Sequence, residues 1–390
     1  MIKIIKGAEV YSPNYLGVRD IIIANNKIEG IYENVNIPDK FIDIEVIDAS
    51  GKIVVPGFVD SHVHIIGGGG EGSFKTRTPE LQLTEIINAG ITSLVGCIGT
   101  DGICRDMRTL LAKVYGLEEE GVSCYCYTGS YEFPVKKTLM GSVKEDITLV
   151  KNIIGLGEIA LSDHRSSQGT YQEFVNQIAQ ARVGGLLSGK SGVVNVHLGE
   201  GARKMDYIFK MIEETEIPAR QVLPTHVNRS RKLMEEGIKL TKLDGVIDLT
   251  TSGNPKYITE DEFRAGEGLV YLLNNNVPIE NITFSSDGNG SDPVFDDDGN
   301  LIGLGVCSVG TLFREVKYAI DKGVSLEDGL KVITSNVASV LGLSDKGEIQ
   351  KGKDADLVIL TKEELEIDGV IARGKVLKKD GVNIVKGTFE

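Results

Sequence analysis

The chain has 390 residues with 56 acidic and 42 basic side chains, a net charge of −14 that disfavours nucleic acid and anionic membrane surfaces as partners. No run approaches the ~20 apolar residues that span a bilayer, and the opening "MIKIIKGAEVYS" lacks a signal peptide's apolar core and cleavage site, so a cytoplasmic protein is expected. Cys97, Cys104, Cys124, Cys126 and Cys307 contain no Cys-x-x-Cys pair, which argues against a disulfide framework or a thiolate zinc site and predicts reduced packing residues.

In chain order, "MIKIIKGAEVYS", "RDIIIANNKIEGIYE" and "DIEVIDASGKIVVPG" alternate apolar and polar residues between Asn and Gly turns, which predicts a small β domain over 1–56 with a hairpin at "ANNKIEG". From there short apolar runs alternate with helical patterns, the grammar of βα units and a parallel sheet. Eight such runs occur: "KIVVPGFVDSHVH", "ITSLVGCIG", "VSCYCYTGSY", "IGLGEIALSD", "GVVNVHLG", "QVLPTHVN", "GVIDLTTSG" and "ITFSSDG". Eight parallel strands with crossover helices predict an α/β fold, a closed (β/α)8 barrel over 57–348, and about 250 to 300 residues is its usual size. Two helical patterns follow, "SVGTLFREVKYAIDKG" and "SLEDGLKVITSNVASVLGL", the second opened by Ser325 with Asp328 at capping-box spacing. The end, 349–390, returns to strand and hairpin grammar and is expected to complete the N-terminal β domain.

Barrel enzymes carry their chemistry at the C-terminal ends of the strands. There the first run ends in His62-x-His64, the fourth carries Glu158, the fifth and sixth end in His197 and His226, and the eighth ends in Asp287. Side chains two apart on a strand share a face, so His62 and His64 point together into the mouth. Imidazole and carboxylate donors suit zinc or a similar divalent ion, and Glu158, between two pairs of histidines, is placed to bridge a second. One histidine at a strand end is more often a hydrogen-bonded core residue, but four of the chain's five at the termini of one barrel make a two-metal site the better reading. His164, in "LSDHRSS", fits loop packing and is assigned no role.

These motifs resemble the amidohydrolase superfamily: "PGFVDSHVH", His197, His226, Asp287 and the terminal "GEIQKGKDADLVIL" follow its pattern along the whole chain. Within it, "HIIGGGGEG", "RTPE", "TGSY", "SDHRS", "LPTHVNR" and "SSDGNGS" resemble the isoaspartyl dipeptidases. The resemblance implies metal-dependent hydrolysis of the isopeptide bond of β-aspartyl dipeptides, two divalent metal ions with zinc the first choice, and a homo-oligomer. It also implies ligands at His62, His64, residue 158, His197, His226 and Asp287. One departure stands out, because the family usually has a carbamylated lysine where this chain has Glu158. A glutamate reaches roughly 4 Å less far, so the strand carrying it, with Gly155 and Gly157 as neighbours, is expected to approach the metals.

Glycines allow close backbone approach to a ligand, and by resemblance Gly69, Gly70 and Glu71 contact substrate, Glu71 accepting an ammonium. Arg165 and Arg229 follow the fourth and sixth strands, where they are placed to clamp carboxylates. One acid and two arginines match the one cation and two anions of a β-aspartyl dipeptide. Thr100, Tyr131 and Ser291 complete the implied substrate shell, with Asp287 as general acid and base and Tyr131 as donor to the oxyanion. A cyclic-amide hydrolase of the dihydroorotase or hydantoinase kind is the alternative enzyme, and a metal-free scaffold is the alternative outside enzymes.

Overall fold

In the computed structural model, which describes residues 2–37, 43–253, 255–295 and 301–390, the alternating patterns of the two chain ends meet in one sheet. From the N-terminal end come β1 (Ile2–Tyr11), β2 (Tyr15–Ala24), β3 (Lys27–Tyr32), β4 (Ile44–Asp48) and β5 (Lys52–Pro56); Met1 of the first predicted strand lies outside the described residues. The two-residue turn Asn25-Asn26 sets Ala24 opposite Lys27, with Asn25 at a φ of 55°, the left-handed conformation that asparagine tolerates.

The parallel strands follow as β6 (Phe58–Val63), β7 (Ile91–Gly96), β8 (Ser123–Thr128), β9 (Ile153–Leu161), β10 (Val193–Leu198), β11 (Val222–Thr225), β12 (Ile247–Thr250) and β13 (Ile282–Ser285). Each lies within one of the eight predicted runs except β9, which begins one residue earlier, at Ile153. β6 to β11 pair in sequence order and β12 pairs with β13. One seam closes through a Val63–Gly288 bridge and a bond from the His64 N–H to the Gly288 carbonyl at 2.9 Å. The other closes through the Asn228 amide, which donates to the Thr250 carbonyl (3.0 Å) and accepts from the Thr250 N–H (2.8 Å). A curled parallel barrel is the result, with apolar residues such as Phe58, Leu94, Ile159 and Phe284 in its main core.

After the barrel strands come a hairpin of β14 (Ser291–Phe295) and β15 (Leu301–Val306), then β16 (Leu357–Thr361), β17 (Ile367–Ala372), β18 (Lys375–Lys379) and β19 (Val382–Asn383). β5 runs parallel to β1 and antiparallel to β16, so it joins the N-terminal strands to the C-terminal ones. This sheet has its own apolar core, with Ile5, Ile21, Ile23, Leu357 and Ile371 among its members. Lys346 fastens it to the barrel: buried, its ammonium donates to Ser123 at the start of β8 (2.7 Å) and Asp356 (2.6 Å), and pairs with Asp354 at 2.8 Å.

Three local differences from the predicted elements have physical causes. The run "KIVVPGFVDSHVH" is two strands, split at Gly57, where an added Cβ would lie 2.2 Å from the Thr92 hydroxyl; only its second half enters the barrel. The helical pattern over 325–343 breaks into Leu326–Lys331 and Ser335–Leu341. Between the two, the carbonyls of Val332 and Ile333 accept from Phe284 and Val59, which takes them out of the helical ladder to serve the barrel strands. The β14–β15 hairpin falls where no strands were predicted, since its Gly and Asp content reads as loop. Among the described residues no helix is long and apolar enough to cross a membrane.

Candidate metal centre and active site

The C-terminal ends of β6, β9, β10 and β11 bring the predicted donors to one point. His62 Nε2 lies 3.2 Å from Glu158 Oε2 and 3.5 Å from Asp287 Oδ1, while His64 Nε2 lies 3.5 Å from Glu158 Oε1 and 3.1 Å from Asp287 Oδ1. On the other side of Glu158, His197 Nδ1 stands 3.2 Å and His226 Nε2 3.9 Å from Oε2, and the two imidazole nitrogens are 3.0 Å apart. The donor atoms form two groups that share Glu158, one of His62, His64, Cys97 and Glu158 and one of Glu158, His197 and His226.

These residues fit a divalent metal. Both ring nitrogens of His62 and one oxygen of Glu158 are buried with no hydrogen-bond partner among the described residues, although possible partners lie within 3.5 Å. A buried polar atom without a partner is costly, and an ion at the common point of the donors satisfies one His62 ring nitrogen and the Glu158 oxygen together. The outer ring nitrogens of His226 and His197 are held from behind. His226 Nδ1 meets the Thr250 hydroxyl at 2.6 Å, and His197 Nε2 meets Asp163 Oδ2 at 3.0 Å.

The strand bearing Glu158 is irregular at that residue. The register of β9 against β10 shifts between Leu156 and Ile159, so the residues between bulge out of the ladder. Gly157, at a φ of 151°, fits there because an added Cβ would lie 2.8 Å from Asn195 Cβ and 2.9 Å from the Asn195 carbonyl oxygen.

Charge divides across the site. Burial opposes a charge on His62, but Glu158, Cys97 and Asp287 outweigh it and raise the imidazole well above its usual range. Burial, Arg229 and His197 instead push His226 well below it. Burial, with Glu158 adding to it, holds the Tyr131 hydroxyl far above its usual value, so it stays a proton donor, 2.9 Å from His197 Nδ1. Burial works against Asp287 ionising, yet His62, His64 and His226 overcome it and keep it a carboxylate.

A cavity of about 1010 Å3 opens over this cluster, lined among others by Arg165, Arg229, His226, Asp287 and Ser291. Glu71 accepts from Thr100 (3.0 Å) and from the lining residue Arg165 (3.2 Å). Arg229 reaches His197 Nε2 at 3.1 Å and the Leu198 carbonyl at 3.0 Å. His164 is exposed on the cavity wall and takes no part in the donor cluster.

The glycine run serves the protein's own packing first. At Gly67 (φ 79°) and Gly69 (φ 65°) an added Cβ would strike the Thr78 and Thr76 carbonyl oxygens at 2.3 and 2.7 Å. Buried Arg105 donates to the carbonyls of Ile66, Gly68 and Gly69 and fixes the loop. Gly69 abuts Ser291, whose Cβ would be 3.2 Å from an added one, and Gly70 carries the chain on at a φ of 109°.

Sequence reasoning passed over Arg105, Asp163 and the proximity of Cys97. Asp163 grips Arg165 with both oxygens (3.0 and 2.8 Å), so the acids around the two arginines number two, Glu71 and Asp163, rather than one. Its signal was present in "SDHR", an acid two residues before the arginine at a strand end. Cys97 directly follows β7, and counting thiols among donors at strand ends would have found it.

The sequence pattern of the amidohydrolase family matches residues 53–377. Among solved structures, the chain is 46% identical, with a TM-score of 0.91, to the β-aspartyl dipeptidase of the thermophilic, keratin-degrading Fervidobacterium islandicum AW-1 in complex with the β-Asp-Leu dipeptide, covering 98% of this chain and 97% of that one. A second structure of that enzyme gives 44% identity, a TM-score of 0.90 and 98% coverage of both chains. Likeness to a D-hydantoinase (18% identity, TM-score 0.71, covering 100% and 98%) shows the fold alone. The imidazolonepropionase of Colwellia psychrerythraea is 23% identical over 90% of this chain and 87% of its own. The family match and the two close structures establish that the chain belongs to the amidohydrolase family, in the branch that holds the Fervidobacterium islandicum β-aspartyl dipeptidase.

Proposed function

We propose that the chain hydrolyses the isopeptide bond of β-aspartyl dipeptides, releasing aspartate and a second amino acid. The observation that carries this reading is near-complete alignment, at 46% identity, with a β-aspartyl dipeptidase holding β-Asp-Leu. His62, His64, Glu158 and Asp287 would hold one divalent ion and Glu158, His197 and His226 a second, zinc being the metal their donors suit best. Bound there, the ions would polarise the scissile carbonyl and make water a stronger acid.

The protein groups divide the remaining work. Asp287, kept ionised by the histidines around it, takes the proton of the attacking water and passes it to the leaving amine. Tyr131, kept protonated by burial, donates to the oxygen on which charge develops, a contact of the kind worth about 3 kcal/mol. Glu71 receives the substrate ammonium, and Arg165 and Arg229 receive its two carboxylates. Thr100 steadies Glu71 by its hydrogen bond, while Gly69, Gly70 and Ser291 form the wall beside the substrate. In this reading the Glu71–Arg165 contact of 3.2 Å opens as substrate charges replace it.

A cytoplasmic setting and a homo-oligomeric assembly belong to the same reading, the latter checked by sedimentation of the purified protein. The test of function is turnover of β-Asp-Leu against α-Asp-Leu, dihydroorotate and hydantoin by zinc-loaded protein. Selective hydrolysis of β-Asp-Leu is expected; preference for either cyclic amide would replace this reading with the cyclic-amide one.

A further inference from the structure

Cys97 stands among the metal donors without having been counted as one. Its sulfur lies 3.6 Å from His64 Nδ1 and 4.0 Å from His64 Nε2, and it belongs to one group with His62, His64 and Glu158 whose donor atoms all fall within 4.8 Å of one another. Donors on one zinc ion, at the usual metal–nitrogen and metal–sulfur lengths, stand about 3.3 to 3.6 Å apart; here His62 and His64 Nε2 stand 3.2 and 3.5 Å from Glu158, and the sulfur 4.0 Å from His64 Nε2.

Two observations favour ligation over packing. The ring nitrogens of His62 and one oxygen of Glu158, in side chains at least 99% buried, are without hydrogen-bond partners among the described residues and belong to the same group, which marks a ligand-binding point independent of the cysteine. The chain also folds back over that point. At Gly99 (φ 77°) an added Cβ would lie 2.7 Å from His64 Cε1 and 3.5 Å from Glu158 Oε1, so the segment after β7 fits against both ligands only as glycine.

We propose that Cys97 is a thiolate ligand of the ion held by His62 and His64, an inference that rests on the two-metal reading above. Two divalent ions bring four positive charges into a buried site whose carboxylates, Glu158 and Asp287, supply two negative ones. A thiolate brings the balance closer to neutral, as burial demands. The thiol donates to the Val63 carbonyl at 3.7 Å; as a metal–sulfur bond forms, the thiol proton passes to solvent.

The test is spectroscopic. Metal-stripped wild-type protein is titrated with cobalt(II), and a strong near-ultraviolet thiolate-to-cobalt band is expected to grow with binding. The single variants Cys104→Ser, Cys124→Ser, Cys126→Ser and Cys307→Ser should each keep the band, which assigns it to Cys97 by elimination even if a change at position 97 impairs folding. Cys97→Ser should lose it and bind cobalt on the order of tenfold or more weakly. Cobalt bound by wild type with visible ligand-field bands but no thiolate band would leave the metal reading intact and reduce Cys97 to a neighbour of His64. Persistence of the band in Cys97→Ser would likewise overturn the assignment. Failure of wild type to bind cobalt at all would overturn this inference together with the metal reading beneath it.

Discussion

Asp287 is asked to be a ligand and a proton carrier at once, and its surroundings serve both tasks. His62 and His64 approach Oδ1 at 3.5 and 3.1 Å and hold the carboxyl ionised against burial. Asp287→Asn keeps the shape but cannot shuttle a proton, so turnover of β-Asp-Leu should fall by about three orders of magnitude or more while the melting temperature stays near wild type; near-normal turnover would remove Asp287 from the proton path. Recognition is separable from this step. Arg229→Met and Glu71→Gln each remove a charge that a substrate group would meet, at a cost of about 2 to 5 kcal/mol, or about 30-fold to thousands-fold. That loss should appear in KM for β-Asp-Leu with metal content unchanged, and unaltered kinetics in both variants would refute the charge match.

At the scale of elements, β9 decides whether a glutamate can stand where a longer modified lysine is usual. Its bulge beside β10 depends on Gly157, where a side chain would meet both the strained φ of 151° and Asn195. Gly157→Ala should therefore cost about 1 to 3 kcal/mol of stability and lower bound metal, read by thermal melting and elemental analysis. Since a glutamate needs no carbon dioxide, metal loading in bicarbonate-free buffer should equal loading with bicarbonate, and a bicarbonate requirement would show that Glu158 is not the bridge. The loop after β6 makes a related point. Its glycines looked like freedom to meet a ligand, but Arg105 and the 76–78 backbone already occupy that closeness, so the loop is a fixed wall.

For the whole molecule, closing the barrel places ionisable groups where water cannot reach them. Asp248 on β12 accepts from Thr225 on β11 (2.7 Å) and from Thr283 and Ser285 on β13 (2.7 and 2.5 Å), tying three strands together. Burial raises its carboxyl to about 6 despite those bonds. Between its unfolded value near 4 and about 6 the folded protein holds a proton that the unfolded chain has lost, so stability falls as pH rises through that window and the full penalty applies above it. Asp248→Asn carries no such charge. From pH 4 to pH 7 its stability relative to wild type should improve by about 2 kcal/mol, measured by denaturant unfolding of the metal-free proteins; a constant difference would show that Asp248 does not titrate in this window.

Much of this was legible in the chain because it is local. Period-two patterns and turn residues specify strands such as β2 and β3, and the His62-x-His64 spacing on β6 puts two rings on one face whatever surrounds them. The positions of His197, His226 and Asp287 at strand ends likewise follow from the βα grammar. The remainder depends on contacts between segments far apart in sequence. Gly57 ends a strand because Thr92 packs against it, and Val332 and Ile333 leave their helix because Phe284 and Val59 need acceptors. Cys97, just past β7, joined the donors of β6 and β9 only when the barrel brought those strand ends to one mouth. Local sequence determines the conformations a segment prefers, whereas the partner of a buried polar atom is chosen by whichever distant segment closes over it.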